Sequence, residues 1–168
     1  MFIGEHFHKK DYFTLTQSPT EVNFISNSHT STQKMGENIA RFLLPCIGRR
    51  KRAVVVGLIG ELGSGKTTFA QGFAKGLGVK EKILSPTFLI MRSYQLAGEP
   101  VQSFYHVDGY RLSNQKELLL LGWKKITALP SACILVEWAD KVKRVLPRDT
   151  IWISFRALDK TTRNISIS

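Results

Sequence analysis

The sequence predicts an α/β fold built on a mixed, mainly parallel central sheet with antiparallel additions and helices on both faces. Three observations carry that prediction. Ala53 to Leu58 reads AVVVGL, an apolar, valine-rich run that suits a strand buried on both faces. Ala132 to Val136 is a second such run, closed by Glu137. Between them, a glycine-rich segment leads from the first run into a helical pattern with Phe69, Phe73 and Leu77 on one side.

The remaining elements follow in chain order. Residues 1–20 mix aromatic, basic and turn-forming residues without periodicity and read as a loose extension, leaving 21–168 as a single domain. Glu21 to Ser26 reads as an edge strand. Ser28, Thr30 or Ser31 can cap a helix running through Met35, Ile39, Phe42 and Leu43, with Pro45 at its end. Gly76 and Gly78 mark the end of the helix that starts near Lys66. Phe88 to Leu96 and Val101 to Val107 read as two strands joined by the hairpin signal Ala97-Gly98-Glu99-Pro100. Glu117 to Leu121 is a short apolar helix stopped by Gly122. Ile151 to Phe155 and Ile165 to Ile167 read as a last antiparallel pair.

Composition narrows the function classes. The 168 residues suit one domain, and 43% hydrophobic with 22% charged residues is an ordinary globular mix. No apolar run approaches the roughly 20 residues of a membrane helix. The opening MFIGEHFHKKDYF lacks the order of a signal peptide, so no membrane role and a cytoplasmic location are expected. Cys46 and Cys133 lack metal or redox spacing and read as buried or idle thiols. Lysine and arginine number 24 against 13 acidic residues, a net charge of +11 that favours polyanionic partners, tRNA among them. Arg49-Arg50-Lys51-Arg52 is the densest basic run, and Lys141, Lys143, Arg144 and Arg148 form a looser group. Such runs serve equally as solvated surface.

Gly60-Glu61-Leu62-Gly63-Ser64-Gly65-Lys66-Thr67 fits the P-loop pattern G-x-x-x-x-G-K-[ST] at every fixed position. Glycines let successive N–H groups turn inward onto phosphate oxygens, and the following helix adds the positive end of its dipole. Lys66 would reach the β- and γ-phosphates and the Thr67 hydroxyl would coordinate Mg²⁺. The strand before and the helix after supply the context the motif requires. The fold class is therefore a P-loop NTPase-like three-layer sandwich, and the expected ligands are ATP and Mg²⁺. Hydrolysis also needs a metal carboxylate and a group to position water. Glu137 stands at a strand's carboxyl end, where open α/β sheets place ligands. Asp108 ends a second strand and could orient water, although a turn aspartate beside Gly109 reads the same way.

The chain resembles the TsaE (YjeE) family of bacterial ATPases in tRNA threonylcarbamoyladenosine biosynthesis. The carrying segments are GELGSGKTTFAQGFAKGLG, SPTF at Ser85 to Phe88, YHVDGYRL at Tyr105 to Leu112, ELLLLGW at Glu117 to Trp123 and LVEWADKV at Leu135 to Val142. Ser26-Asn27-Ser28 and Thr32-x-x-Met35-Gly36 match the family's first strand-to-helix junction. The resemblance covers about residues 22–168. It implies that Gly63, Ser64, Gly65, Lys66, Thr67 and Thr68 hold the phosphates, and that Thr67 and Glu137 coordinate Mg²⁺. It implies a mobile switch at Ser85-Pro86-Thr87, with Thr87 sensing the γ-phosphate. Asp108 would lie near the metal or the attacking water, Trp138 beside the catalytic site, and Ser28 at a junction that contacts nucleotide. It further implies ATP turnover in partnership with TsaD and TsaB, acting on the modification at adenosine 37. The first 20 residues and the cationic run at Arg49 to Arg52 depart from the family pattern without touching a motif.

Two other classes compete. A P-loop kinase acting on a small metabolite has a compatible size and loop, but no 20–40 residue lid insert is visible. A nucleic-acid-binding module suits the charge, but no zinc spacing or RNA-recognition aromatic motif is present.

Overall fold

The computed structural model describes residues 13–14, 21–98 and 100–168. One eight-stranded sheet runs through it: β1 (Phe13–Thr14), β2 (Val22–Ser26), β3 (Val54–Gly60), β4 (Met91–Gln95), β5 (Ser103–Asp108), β6 (Ala132–Glu137), β7 (Ile151–Ala157) and β8 (Arg163–Ile167). Its order is β1-β2-β8-β7-β3-β6-β5-β4. The four central strands, β7, β3, β6 and β5, are parallel to one another. β4 joins β5, β8 joins β7, and β2 joins β8, all antiparallel. The expected mainly parallel centre with antiparallel additions is observed.

Side chains alternate across β3 and β6 and divide the core in two. Val54, Val56, Leu58, Cys133 and Leu135 face α1 (His29–Leu43) and α2 (Lys66–Gly76), packing on Ile39, Leu43, Phe69 and Phe73. Val55, Ile134 and Val136 face the other layer, made of α3 (Gln115–Leu120), α4 (Trp123–Thr127) and a 3₁₀ segment at Ala139–Val145. Trp123 anchors that layer, its indole N–H donating to the Val145 carbonyl at 2.8 Å. Helices α1 and α2 touch backbone to backbone: a Cβ on Gly36 would lie 2.2 Å from the Phe69 carbonyl oxygen, and one on Gly72 1.8 Å from that of Gln33. Ser28 is the α1 cap, its hydroxyl accepting from the Ser31 N–H at 3.0 Å.

Several expectations change. The strand expected from Phe88 begins only at Met91, because residues 87–89 turn and Ile90 takes a positive φ of 65°. Phe88 is 83% exposed, and Phe42, at a helical spacing that suggested the core, is 59% exposed. Val22–Ser26 lies between β8 and the two-residue β1, not at the edge. Ile151–Ala157 pairs with β8 as expected and also, in parallel, with β3. Gly122 ends one helix and, with φ 80°, starts α4. Of the extension at 1–20, Phe13 and Thr14 pair antiparallel with Phe24 and Asn23, and the rest lies outside the described residues. Cys46 is exposed, whereas Cys133 is buried and its thiol is pushed up to about 12 by that burial. Among the described residues no helix is long and apolar enough to cross a membrane.

Candidate nucleotide-binding site

The sheet order places three strand ends in a row. β3 runs into the glycine loop, and its neighbour β6 ends on Glu137, opposite Leu58. β5 ends on Asp108, in register with Glu137. The loop needs its glycines: Gly63 and Gly65 have φ of 76° and 103°, and a Cβ on Gly60 would sit 2.5 Å from the Phe155 carbonyl oxygen. The loop opens onto a cleft of about 390 Å³. Leu62, Gly63, Gly65, Lys66, Thr67 and Thr68 of the loop and helix line it, together with Ser85, Thr87, Asp108, Tyr110, Glu137, Trp138 and Arg163.

Lys66 is buried and held inside the loop. Its Nζ donates to the Gly60 and Glu61 carbonyls at 2.6 and 2.8 Å and approaches the Ser64 hydroxyl at 3.4 Å. It also lies 3.9 Å from the centroid of the Trp138 ring. Burial lowers the Lys66 pKa, and the charges of Glu137, Asp108 and Asp140 oppose that shift without cancelling it. Added phosphate charge would favour the ammonium further.

The Thr67 hydroxyl donates to Glu137 Oε2 at 2.8 Å. The other oxygen, Oε1, lies 2.8 Å from His106 Nε2. With Glu137 as carboxylate, that nitrogen carries the proton, and Nδ1 is left without a partner. Asp108 Oδ2 accepts from the Ser85 and Thr87 hydroxyls, each at 2.6 Å, while its Oδ1 accepts the Tyr110 N–H at 2.9 Å. Trp138 adopts a positive φ of 56°, which turns its ring over Lys66 and against Tyr110, 5.1 Å between centroids.

This strand-end arrangement coincides with a family match. Residues 26–165 fit the model of the threonylcarbamoyl adenosine biosynthesis protein TsaE. The chain belongs to the TsaE family. It is 34% identical over 137 residues to the tRNA threonylcarbamoyladenosine biosynthesis protein TsaE of Haemophilus influenzae, covering 82% of each chain. The TsaE of Treponema pallidum is 33% identical over 144 residues, 86% of this chain and 98% of that one. Among solved structures, Bacillus subtilis YdiB superposes with a TM-score of 0.67 at 29% identity, over 90% of this chain and 87% of that one.

For this TsaE-family chain, Gly63, Gly65, Lys66, Thr67, Thr68, Thr87, Asp108 and Glu137 all border the same cleft. Ser64 is buried beneath the loop beside Lys66. Ser28 does not line the cleft; it caps the helix whose Thr32 lies close to Gly65. Sequence reasoning missed two residues. His106 was visible only as a neighbour of Asp108, and the β5–β6 register that sets it against Glu137 has no local signal. Arg163, close to the C-terminus, carried no motif at all.

Proposed function

We propose that this chain binds ATP with Mg²⁺ in the cleft and hydrolyses the γ-phosphate, as the ATPase of a tRNA threonylcarbamoyladenosine-modifying system in the cytoplasm, working with TsaD and TsaB. The observation that carries the ATPase reading is the Thr67–Glu137 contact at the foot of the glycine loop. The names of the relatives support the pathway.

The residues fit both ligands. Thr67 Oγ1 and Glu137 Oε2, 2.8 Å apart, are the hard oxygen donors that Mg²⁺ takes alongside phosphate and water oxygens. Thr67 and Glu137 would hold the cation between them in place of their present hydrogen bond. The loop N–H groups and the start of α2 suit phosphate, and Lys66 needs only to exchange two carbonyls for phosphate oxygens. Mg²⁺ would supply charge neutralisation on the transferred phosphoryl group. Asp108 faces the same cleft and is the residue suited to orient the attacking water. Its grip on Ser85 and Thr87 ties that role to the switch segment, so a γ-phosphate that recruits Thr87 would release Asp108.

Co-sedimentation of the purified chain with TsaB and TsaD in ADP, ATP or a non-hydrolysable analogue tests the partnership. Association that depends on the nucleotide, and a weaker dependence in Thr87→Ala with ATP still bound, is the expected result. Absence of association under every nucleotide overturns the tRNA-modification reading. A parallel assay of released inorganic phosphate against phosphorylated metabolite distinguishes hydrolysis from the kinase alternative.

A further inference from the structure

We infer that Arg163 is a nucleotide-contacting residue that holds the adenosine side of the ligand, at its α-phosphate and base. This rests on the ATP-binding reading above and extends it to a residue outside every recognised motif.

Sheet order supplies the direction. The metal-binding pair and Asp108 lie on the β6–β5 side of the glycine loop. A triphosphate with its terminal group there must run back across the loop towards the β7–β8 side. Arg163 opens β8 on that side, paired with Ser26 and Ala157. Its side chain lies against the loop: a Cβ on Gly65 would be 2.8 Å from Arg163 Nε and 3.0 Å from Cδ. Gly65 therefore serves two purposes, its positive φ and the close approach of this guanidinium.

The guanidinium is also incompletely satisfied. Its Nε is buried without a hydrogen-bond partner, and among the described residues only an Nη1 bond to the Thr161 carbonyl at 2.6 Å anchors it. Among the described residues no carboxylate lies within ion-pair distance of it. A buried donor on a permanent cation is costly to leave unpaired. Anionic oxygen in the cleft it lines would complete it, and its planar face suits stacking on a base. Lys66 and Arg163 then divide the ligand, the first taking the outer phosphates and the second the nucleoside end.

Calorimetric titration of wild type, Arg163→Ala and Lys66→Ala with Mg-ADP and with inorganic pyrophosphate tests this, since pyrophosphate can fill the two outer phosphate positions without reaching Arg163. Arg163→Ala is expected to weaken ADP about 10-fold or more, the loss of a charge-assisted contact, while pyrophosphate binding stays within about 2-fold. Lys66→Ala is expected to weaken both. Unchanged ADP affinity in Arg163→Ala overturns the proposal, and so does an equal loss of ADP and pyrophosphate, which marks a general charge instead of a contact at the nucleoside end. Should Arg163→Ala not fold, Arg163→Lys, which keeps the charge and loses the planar fork, is read by the same criteria. A wild type that binds pyrophosphate but not ADP overturns this inference alone; one that binds neither overturns the ATP reading with it.

Discussion

Two buried glutamates, Glu37 on α1 and Glu137 at the end of β6, are 5% and 2% exposed and have opposite surroundings. Glu37 is ringed by cations: Arg41 at 2.6 Å, Lys75 at 3.4 Å and Lys34 at 3.5 Å. Burial alone would raise its pKa, but the Lys75 hydrogen bond and the charges of Lys34, Lys75 and Arg41 outweigh it and hold the carboxyl below its ordinary value. Glu137 has a threonine hydroxyl and an imidazole, and no lysine or arginine within ion-pair distance among the described residues. A buried carboxylate is expensive without a cation. Glu37 has its cations from the chain, whereas Glu137 has none in ion-pair contact among the described residues, which suits the metal-binding role proposed for it. The contrast separates a structural acid from a proposed metal ligand by partners alone.

The largest expected effect is at Lys66, held in the glycine loop. Lys66→Ala should abolish ATP hydrolysis while the far-ultraviolet spectrum stays native, since its ammonium acts in a cleft poor in water; steady-state turnover at the wild-type rate would break the P-loop reading. Next comes the carboxylate. Glu137→Gln should lower turnover at least ~100-fold and remove its Mg²⁺ dependence, with metal-free nucleotide binding little changed. The same variant should be no less stable than wild type without metal, because an acid lacking a cation has been removed. A melting temperature well below wild type would mean that Glu137, like Glu37, is structural.

Asp108→Asn should keep ATP binding and lower turnover about 10-fold, roughly 1.4 kcal/mol of barrier. Loss of binding would instead make Asp108 a structural clamp on Ser85 and Thr87. Glu37→Gln closes the comparison from the other side. It should destabilise by about 1 kcal/mol, a melting shift of about 3 °C, with Mg²⁺ dependence unchanged. A depressed carboxyl contributes stability above its unfolded pKa and loses it as pH falls through the folded value. The gap between Glu37→Gln and wild type should therefore narrow as pH falls below the ordinary glutamate range and through the lowered folded value. A gap that persists in acid would assign the loss to shape instead of charge.

The part of the site that is local in sequence was legible in it. A glycine loop between an apolar strand and an amphipathic helix declares its own chemistry, and Glu137 was found because it interrupts an apolar run at a strand end. What depends on register was not legible. His106 meets Glu137 only because β5 and β6 align Asp108 with it, and Arg163 meets Gly65 only because β8 returns antiparallel beside β7. Backbone chirality hid two more features. The positive φ at Ile90 delays a strand that the composition of Phe88 and Leu89 predicts from residue 88, and the positive φ at Trp138 accompanies its ring's contact with Lys66. Neither residue type favours that conformation, so tertiary packing imposes it.

The contact between α1 and α2 decides which side of the cleft is rigid. With Gly36 against the Phe69 carbonyl and Gly72 against that of Gln33, neither helix can slide past the other without driving an oxygen into an α-carbon. The helix whose N-terminus opens on the cleft is thus bolted to α1 and gives the cleft one fixed side. Under the proposed ATPase reading, movement that follows cleavage of a phosphate bond would be left to Ser85 and Thr87, beside the exposed ring of Phe88. A partner that senses the bound nucleotide would then contact the Phe88 side.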